Sequence, residues 1–178
     1  MEEEASIRGT LRGGHVLVAD KSSISRLSQD GYGDADPDGY HLKPFEALYL
    51  ISVGRLVLAG SKRAGFEGTL ERFRKDDPDI LSKYLIYRDL RSRGYVAKDG
   101  FGFGTDFRVY DRGDFGDKGA KFLIFGLNEG RREGAGTFCK RIDQMAGMGK
   151  EPVVAVIERR GEVIYYKLNR VRFPPNRP

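Results

Sequence analysis

The chain has 178 residues, a formal net charge of +5, 39% hydrophobic residues, one cysteine and two histidines. That is enough for one full domain or two small ones. No run approaches the ~18 apolar residues of a membrane span, and the acidic start MEEEASIRG lacks the apolar stretch of a secretory signal, so a cytoplasmic setting is expected. The lone Cys139 excludes an internal disulfide or a cysteine metal site. His15 and His41 are expected to lie far from each other and from the cysteine, so no zinc site, and no metal, is expected. Charge is uneven: residues 1–82 carry 11 Lys+Arg against 14 Asp+Glu, while residues 83–178 carry 20 against 12. A basic second half beside a mildly acidic first half points to a polyanion-facing unit, with nucleic acid ahead of a mere solubility surplus.

In chain order, SIRGTLRGGHVLVAD (6–20) predicts two short strands around Gly13-Gly14, with Val16, Leu17 and Val18 in the core. Residues 22–30 predict a short helix capped by Ser22 or Ser23, with Ile24 and Leu27 inward. DGYGDADPDGYH (30–41) reads as a turn-rich acidic loop. Its spaced aspartates lack the closing glutamate of a calcium loop. Residues 43–51 predict a helix with Pro44 in its first turn, Leu56–Ala59 a strand, and Phe66–Lys75 a second helix. DDPD (76–79) breaks the chain, which sets a domain boundary near residue 80.

Beyond it, Tyr84, Leu85, Tyr87 and Leu90 recur at helical spacing, with Ile86 beside them and Arg88, Arg91 and Arg93 on the wet side; Gly94 ends the helix. Tyr95-Val96-Ala97 predicts a strand broken by Gly100, Gly102 and Gly104. Thr105–Tyr110 predicts another, with Phe107 and Val109 on one face and Asp106, Arg108 and Tyr110 on the other. A tyrosine at a strand end, followed by Asp111-Arg112-Gly113, sits at an exposed rim, where reactive groups concentrate. KFLIFGL (121–127) predicts a strand. Residues 134–148 predict a helix with Phe138, Ile142, Met145 and Cys139 inward and Lys140 and Arg141 outward. PVVAVIE (152–158) and 162–168 predict two more strands, before a basic, proline-rich tail (170–178). The pattern is an α/β (α+β) chain: a small amino-terminal mixed α/β domain, residues 1–80, and a mixed sheet flanked by helices, residues 81–178.

KYLIYRDLRSRGYVAKDG followed by GTDFRVYDRG resembles the archaeal tRNA-splicing endonuclease, the tRNA-intron lyase family. KSSISRLSQDGYG and LKPFEALYLISVGRL resemble that family's amino-terminal domain, and VVAVIERRGEVIYYKL its carboxy-terminal hairpin. The likeness spans nearly the whole chain in the right order. It implies cleavage of precursor tRNA at a bulge-helix-bulge, leaving a 2′,3′-cyclic phosphate and a 5′-hydroxyl, with no metal or other cofactor. Such chemistry needs a base for the 2′-hydroxyl, an acid for the leaving 5′-oxygen and a cation for the phosphorane. The family uses a tyrosine, a histidine and a lysine. The tyrosine falls on Tyr110 and the lysine on Lys150. The histidine slot, just before KFLIFG, is Gly119, or Ala120 with the loop shifted by one.

Two readings follow from the vacant slot. Either the chain is an active subunit whose acid is weakened or replaced, with Lys118 or Lys121 as substitutes, or it is the non-catalytic, RNA-positioning subunit of an α2β2 assembly beside a paralogue. Arg112, Lys140 and Arg141 are the candidate RNA contacts, since an arginine plane can sandwich a splayed base. The resemblance also implies homodimeric pairing or pairing with a paralogue through Val163–Leu168, and a docking loop at 158–162 or 111–117. Two other classes stay open: a magnesium nuclease using Asp106 and Glu158, and a non-enzymatic RNA-binding module.

Overall fold

The computed structural model describes residues 6–60, 65–102 and 104–174; the first residues and the end of the basic tail lie outside these. The described residues form two five-stranded mixed sheets and five helices. In the first sheet, β1 (Ile7–Arg12) turns back at Gly13-Gly14 into antiparallel β2 (His15–Val18), as expected. Alternation buries Val16 and Val18 but turns Leu17 to the other face, so Leu17 is not fully in the core. Helix α1 (Lys21–Gln29) starts one residue before the predicted serines. Its cap is Asp20, whose carboxylate accepts from the Ser23 amide at 2.8 Å. Leu27 faces inward, while Ile24 is only half-buried.

The acidic stretch predicted as a loop is a hairpin, β3 (Asp34–Asp36) and β4 (Gly39–Leu42). Pairing of β4 with β2 overrides its turn-rich composition, because Tyr40 and Leu42 alternate into the core. The same pairing corrects the expected separation of the histidines: the rings of His15 and His41 lie 6.3 Å apart, edge to face. His41 Nε2 is 3.1 Å from Asp36 Oδ1. Helix α2 (Pro44–Ser52) carries Pro44 in its first turn, β5 (Leu56–Leu58) pairs parallel with β1, and α3 (Phe66–Arg74) follows.

Helix α4 (Ile80–Ser92) buries Tyr84, Ile86, Tyr87 and Leu90. Arg91 is not on the wet side: its guanidinium lies 4.0 Å from the Tyr32 ring centroid and donates to the Asp30 carbonyl at 2.8 Å. The second sheet runs β10-β9-β8-β7-β6. Strand β6 (Val96–Gly102) continues through Gly100 rather than stopping there. A Cβ at Gly100 would come 2.1 Å from the Thr105 carbonyl oxygen, so only glycine admits the close return of β7 (Thr105–Tyr110). Strand β8 (Phe122–Asn128) is antiparallel to β7 and parallel to β9 (Glu151–Ile157), with α5 (Ala135–Gly147) as the crossover; β10 (Val163–Lys167) closes the edge.

The α4 side of this sheet merges with the first sheet into one continuous core. Phe45 of α2 packs against Tyr87 of α4 and Phe107 of β7, ring centroids 4.9 and 5.0 Å away. Truncating a buried phenylalanine costs about 3–5 kcal/mol, against ~0–1 for a half-exposed pair such as Lys43–Asp99, so the rings and not the surface charges join the halves. The other face carries a smaller cluster of Leu123, Phe125, Met145 and Val154 under α5. Cys139 is exposed, not inward.

Between the halves lies a buried ammonium that the hydropathy pattern hid. Lys98 of β6, 4% exposed, donates to the Gly33 carbonyl at 2.6 Å and stands 3.7 Å from Glu46, 1% exposed. Glu46 in turn accepts from the amides of Gly33 and Lys43. Burial pushes the Glu46 carboxyl above its ordinary pKa, and the Lys98 charge pulls it back. Lys98→Met is expected to cost about 3–5 kcal/mol at neutral pH by urea unfolding, because it strands a buried carboxylate. Without the lysine, Glu46 holds its proton more tightly folded than unfolded. The deficit is therefore smallest below the unfolded carboxyl range and grows as pH rises through it.

Candidate active site

Registers place the residues singled out from sequence. Val109 pairs with Phe122, and Phe122 with Glu151. Extending both by one residue sets Tyr110, Lys121 and Lys150 side by side on three neighbouring strands. With strands about 4.8 Å apart, the Tyr110 and Lys150 Cα atoms stand roughly 10 Å apart. Phe107 and Val109 point into the α4-side core, as do Ile124, Val153 and Ala155. Alternation therefore turns Tyr110 and Lys150 to the opposite face, the one α5 partly covers. Tyr110 is half-buried at the end of β7.

Gly119 and Ala120 separate cleanly. Ala120 is buried, 6% exposed, while Gly119 is exposed and a Cβ built on it would lie 3.2 Å from Lys150 Nζ. A side chain at 119 would thus project to where the Lys150 ammonium already reaches. The two substitute acids are engaged elsewhere. Lys118 pairs with Asp114 and Lys121 with Asp111, both at 2.8 Å. The hydrogen bond that Lys121 donates to the Asp111 carboxylate holds its ammonium above its ordinary pKa, which makes it a poorer proton donor. These pairs also tie Asp111 and Asp114 into their own loop rather than leaving it an outstretched acidic plug.

The expected RNA contacts divide. Arg112 is exposed, its guanidinium 5.1 Å from the Tyr95 ring centroid. Lys140 is exposed on α5. Arg141 is not outward: it lies over the Phe125 ring at 4.6 Å and pairs with Glu133 at 2.8 Å. It lines a cavity of about 370 Å³ with Lys83, Gly104, Asp106 and Gly126. That cavity sits at the start of β7, where its lining residues Gly104 and Asp106 are six and four residues from Tyr110, roughly 13–20 Å along the strand.

Asp106 and Glu158 do not converge either. Asp106 lies in line with Val154, four residues short of Glu158 along β9, or about 13 Å. Asp106 accepts from the Gly126 amide at 2.7 Å, and burial raises its pKa. Among the described residues no three His, Cys, Asp or Glu side chains gather to hold a metal. No helix among them is long and apolar enough to cross a membrane. Sequence reading passed over Phe115, whose ring meets Tyr110 edge to face with centroids 5.0 Å apart. Only its place five residues after the tyrosine, inside a glycine-rich turn, hinted at it.

Comparison with known proteins agrees with this arrangement of two sheets. Residues 80–165 match the tRNA intron endonuclease catalytic C-terminal domain, and residues 7–70 match the tRNA intron endonuclease N-terminal domain. The tRNA-splicing endonuclease of Thermococcus onnurineus is 36% identical over 165 residues, covering 92% of this chain and 95% of that protein. The chain belongs to the tRNA intron endonuclease family. Within the family it is also similar to the tRNA-splicing endonucleases of Thermococcus gammatolerans, at 33% identity over 92% of this chain and 97% of that protein, and of Pyrococcus furiosus, at 32% over 92% and 95%. In this family member Gly119 stands where the resemblance implied a histidine. The placement of Arg141 gives one test of its role. Arg141→Ala is expected to lower stability by about 1–2 kcal/mol through loss of the Phe125 and Glu133 contacts, whereas Lys140→Ala leaves it within about 0.5 kcal/mol, both measured by thermal melts.

Proposed function

We propose that this chain is a subunit of a tRNA-splicing endonuclease that engages precursor tRNA at a bulge-helix-bulge, with Tyr110 and Lys150 facing the scissile linkage. The observation that carries the proposal is the common row and common face of these two residues, with Gly119 directly against the lysine. In this reading the Tyr110 oxygen takes the 2′-hydroxyl proton. The freed 2′-oxygen attacks phosphorus, and the bond to the 5′-oxygen breaks to leave a 2′,3′-cyclic phosphate. The Lys150 ammonium pairs with the non-bridging oxygens as charge builds. A phenol of ordinary pKa, near ~10, needs such a cation beside it to act as a base. No role in this scheme calls for a metal or another cofactor. The amino-terminal unit, residues 1–80, and the nuclease unit, residues 81–178, are both part of the proposal. Exposed Arg112 and Lys140 extend the surface toward RNA phosphates, while Arg141 serves packing.

The leaving 5′-oxygen still needs a proton, and Gly119 cannot give one. General acid catalysis is worth about 10²–10⁴-fold, so the chain alone is expected to be slow rather than inert. That vacancy favours a second reading: an α2β2 assembly in which this chain positions RNA and a paralogue cuts. Exposed Ile164 and Tyr166 on the edge strand β10 support pairing with a copy or paralogue.

The deciding experiment is cleavage of a bulge-helix-bulge RNA in EDTA. Gly119→His is expected to raise the rate of the chain alone by about 10²–10⁴-fold, since a Cβ at 119 meets only the flexible Lys150 tip, which can give slightly and stay at the site. Tyr110→Phe should abolish that gain. Cleavage that appears only with the paralogue and ignores Tyr110→Phe establishes the positioning reading; dependence on magnesium overturns both. Lys140→Ala is expected to reduce the slope of log affinity against log salt by about 0.7–0.9, read from binding titrations.

A further inference from the structure

Tyr110 is the last residue of its strand, where the ladder ends. A group that must meet a 2′-hydroxyl has to be held to a fraction of an ångström. Two neighbours do the holding. One is Val96, its cross-strand partner on β6. The other is Phe115, which meets the Tyr110 ring at an interplanar angle of 89°. An edge-to-face pair at this spacing fixes both ring planes, because the positive edge of one ring seeks the negative face of the other.

Phe115 is itself held from two sides. Its loop folds back through bonds from the Asp114 amide to Asp111 O and from the Lys118 amide to Asp114 O, and the Lys118–Asp114 pair closes it. On the far side is Gly31, just past the end of α1 in the first half of the chain. A Cβ on Gly31 would come 3.2 Å from Phe115 Cε1 and 2.6 Å from Val96 Cγ1, and Gly31 has φ +76°, so only glycine fits there without strain. One residue of the amino-terminal half therefore seats against both neighbours of Tyr110. That residue does not float. Arg91 of α4 clamps the segment around it, donating to the Asp30 carbonyl and to the Tyr32 hydroxyl and lying over the Tyr32 ring.

We infer that Phe115 is a positioning residue for Tyr110, and that Gly31 of the amino-terminal half sets it, so that this half tunes the nuclease site through the contact Gly31–Phe115–Tyr110. The inference rests on the proposed role of Tyr110 as base. It extends that role by making the first half part of the site's geometry.

The test uses the full chain and a bulge-helix-bulge RNA whose scissile 5′-oxygen is replaced by sulfur, a leaving group that departs without an acid and so bypasses the Gly119 vacancy. Phe115→Ala is expected to lower kcat about tenfold or more with KM within twofold, since misplacement of a reacting group shows in turnover rather than binding. Phe115→Tyr should restore it. Gly31→Ala, which pushes on the same ring, should lower kcat in the same direction. A 3-fluorotyrosine at position 110 gives a readout independent of cleavage: one ring orientation by fluorine NMR in the parent chain, and two averaged orientations with Phe115→Leu, a milder change that preserves bulk. If Phe115→Ala leaves kcat within twofold while Tyr110→Phe abolishes it, or if the fluorine spectrum is unchanged, the inference falls and the tyrosine reading stands. If the parent leaves the sulfur substrate uncut, or Tyr110→Phe cuts it as fast, both fall.

Discussion

The parallel pairing of β8 with β9 is the constraint on which the rest of the site depends. Antiparallel neighbours can be joined by a tight turn, but a parallel pair needs a crossover, here α5, which returns the chain to the same end of the sheet. Lys150 is the last residue of that return, just before β9, and Gly119 lies just before β8. The chain segments before two adjacent strands are thereby brought within a side chain's reach of each other. The antiparallel step from β8 to β7 then adds the end of β7, and Tyr110 with it. Residues forty positions apart in sequence fall in one row because three strands share one register.

The first half of the chain is joined to this sheet through its interior. Phe45 sits between Tyr87 and Phe107, and Lys98 reaches across to Gly33 and Glu46. The aromatic contact supplies the stabilisation. The buried ion pair is different in kind, since its attraction is offset by the cost of removing both charges from water. Its effect is to admit one arrangement: any slip of β6 against α2 takes the buried ammonium away from the Gly33 carbonyl and the Glu46 carboxylate. Orientation of the two halves is thus fixed within two or three residues of Tyr110, since Lys98 pairs with Arg108 and Val96 with Tyr110.

Much of this was legible in the sequence, and what was not has physical causes. Alternation in TDFRVY gave the inward set Phe107 and Val109 and put Tyr110 on the other face. The family motifs suggested the roles proposed for Tyr110 and Lys150, which periodicity alone never assigns. Gly119 and Ala120 could not be told apart by counting; burial of one and exposure of the other separates them. The hairpin at 34–42 was hidden because its turn residues outnumber its apolar ones and its stability comes from pairing with β2. Lys98 was hidden because a lysine inside a strand reads as a wet position, and only its partners from the first half, Gly33, Asp34 and Glu46, make its burial tolerable. Arg91 and Arg141 were read as solvent-facing for the same reason, yet each lies on an aromatic ring. Phe115 lay in a loop, where one-dimensional patterns carry no information about what a ring will touch.

Helix α5 buries a single residue completely, Met145, and half-buries Phe138 and Ile142 against the sheet. It is held by far less apolar surface than α4, which buries five. The crossover is therefore expected to open before α4 and the central strands, which amide hydrogen exchange would show as weaker protection of α5. Lys150 stands at the joint between this helix and β9, lining a pocket with Ile142 and Ala146 of α5, so opening of the layer over the Leu123–Phe125 face would reach the ammonium as well.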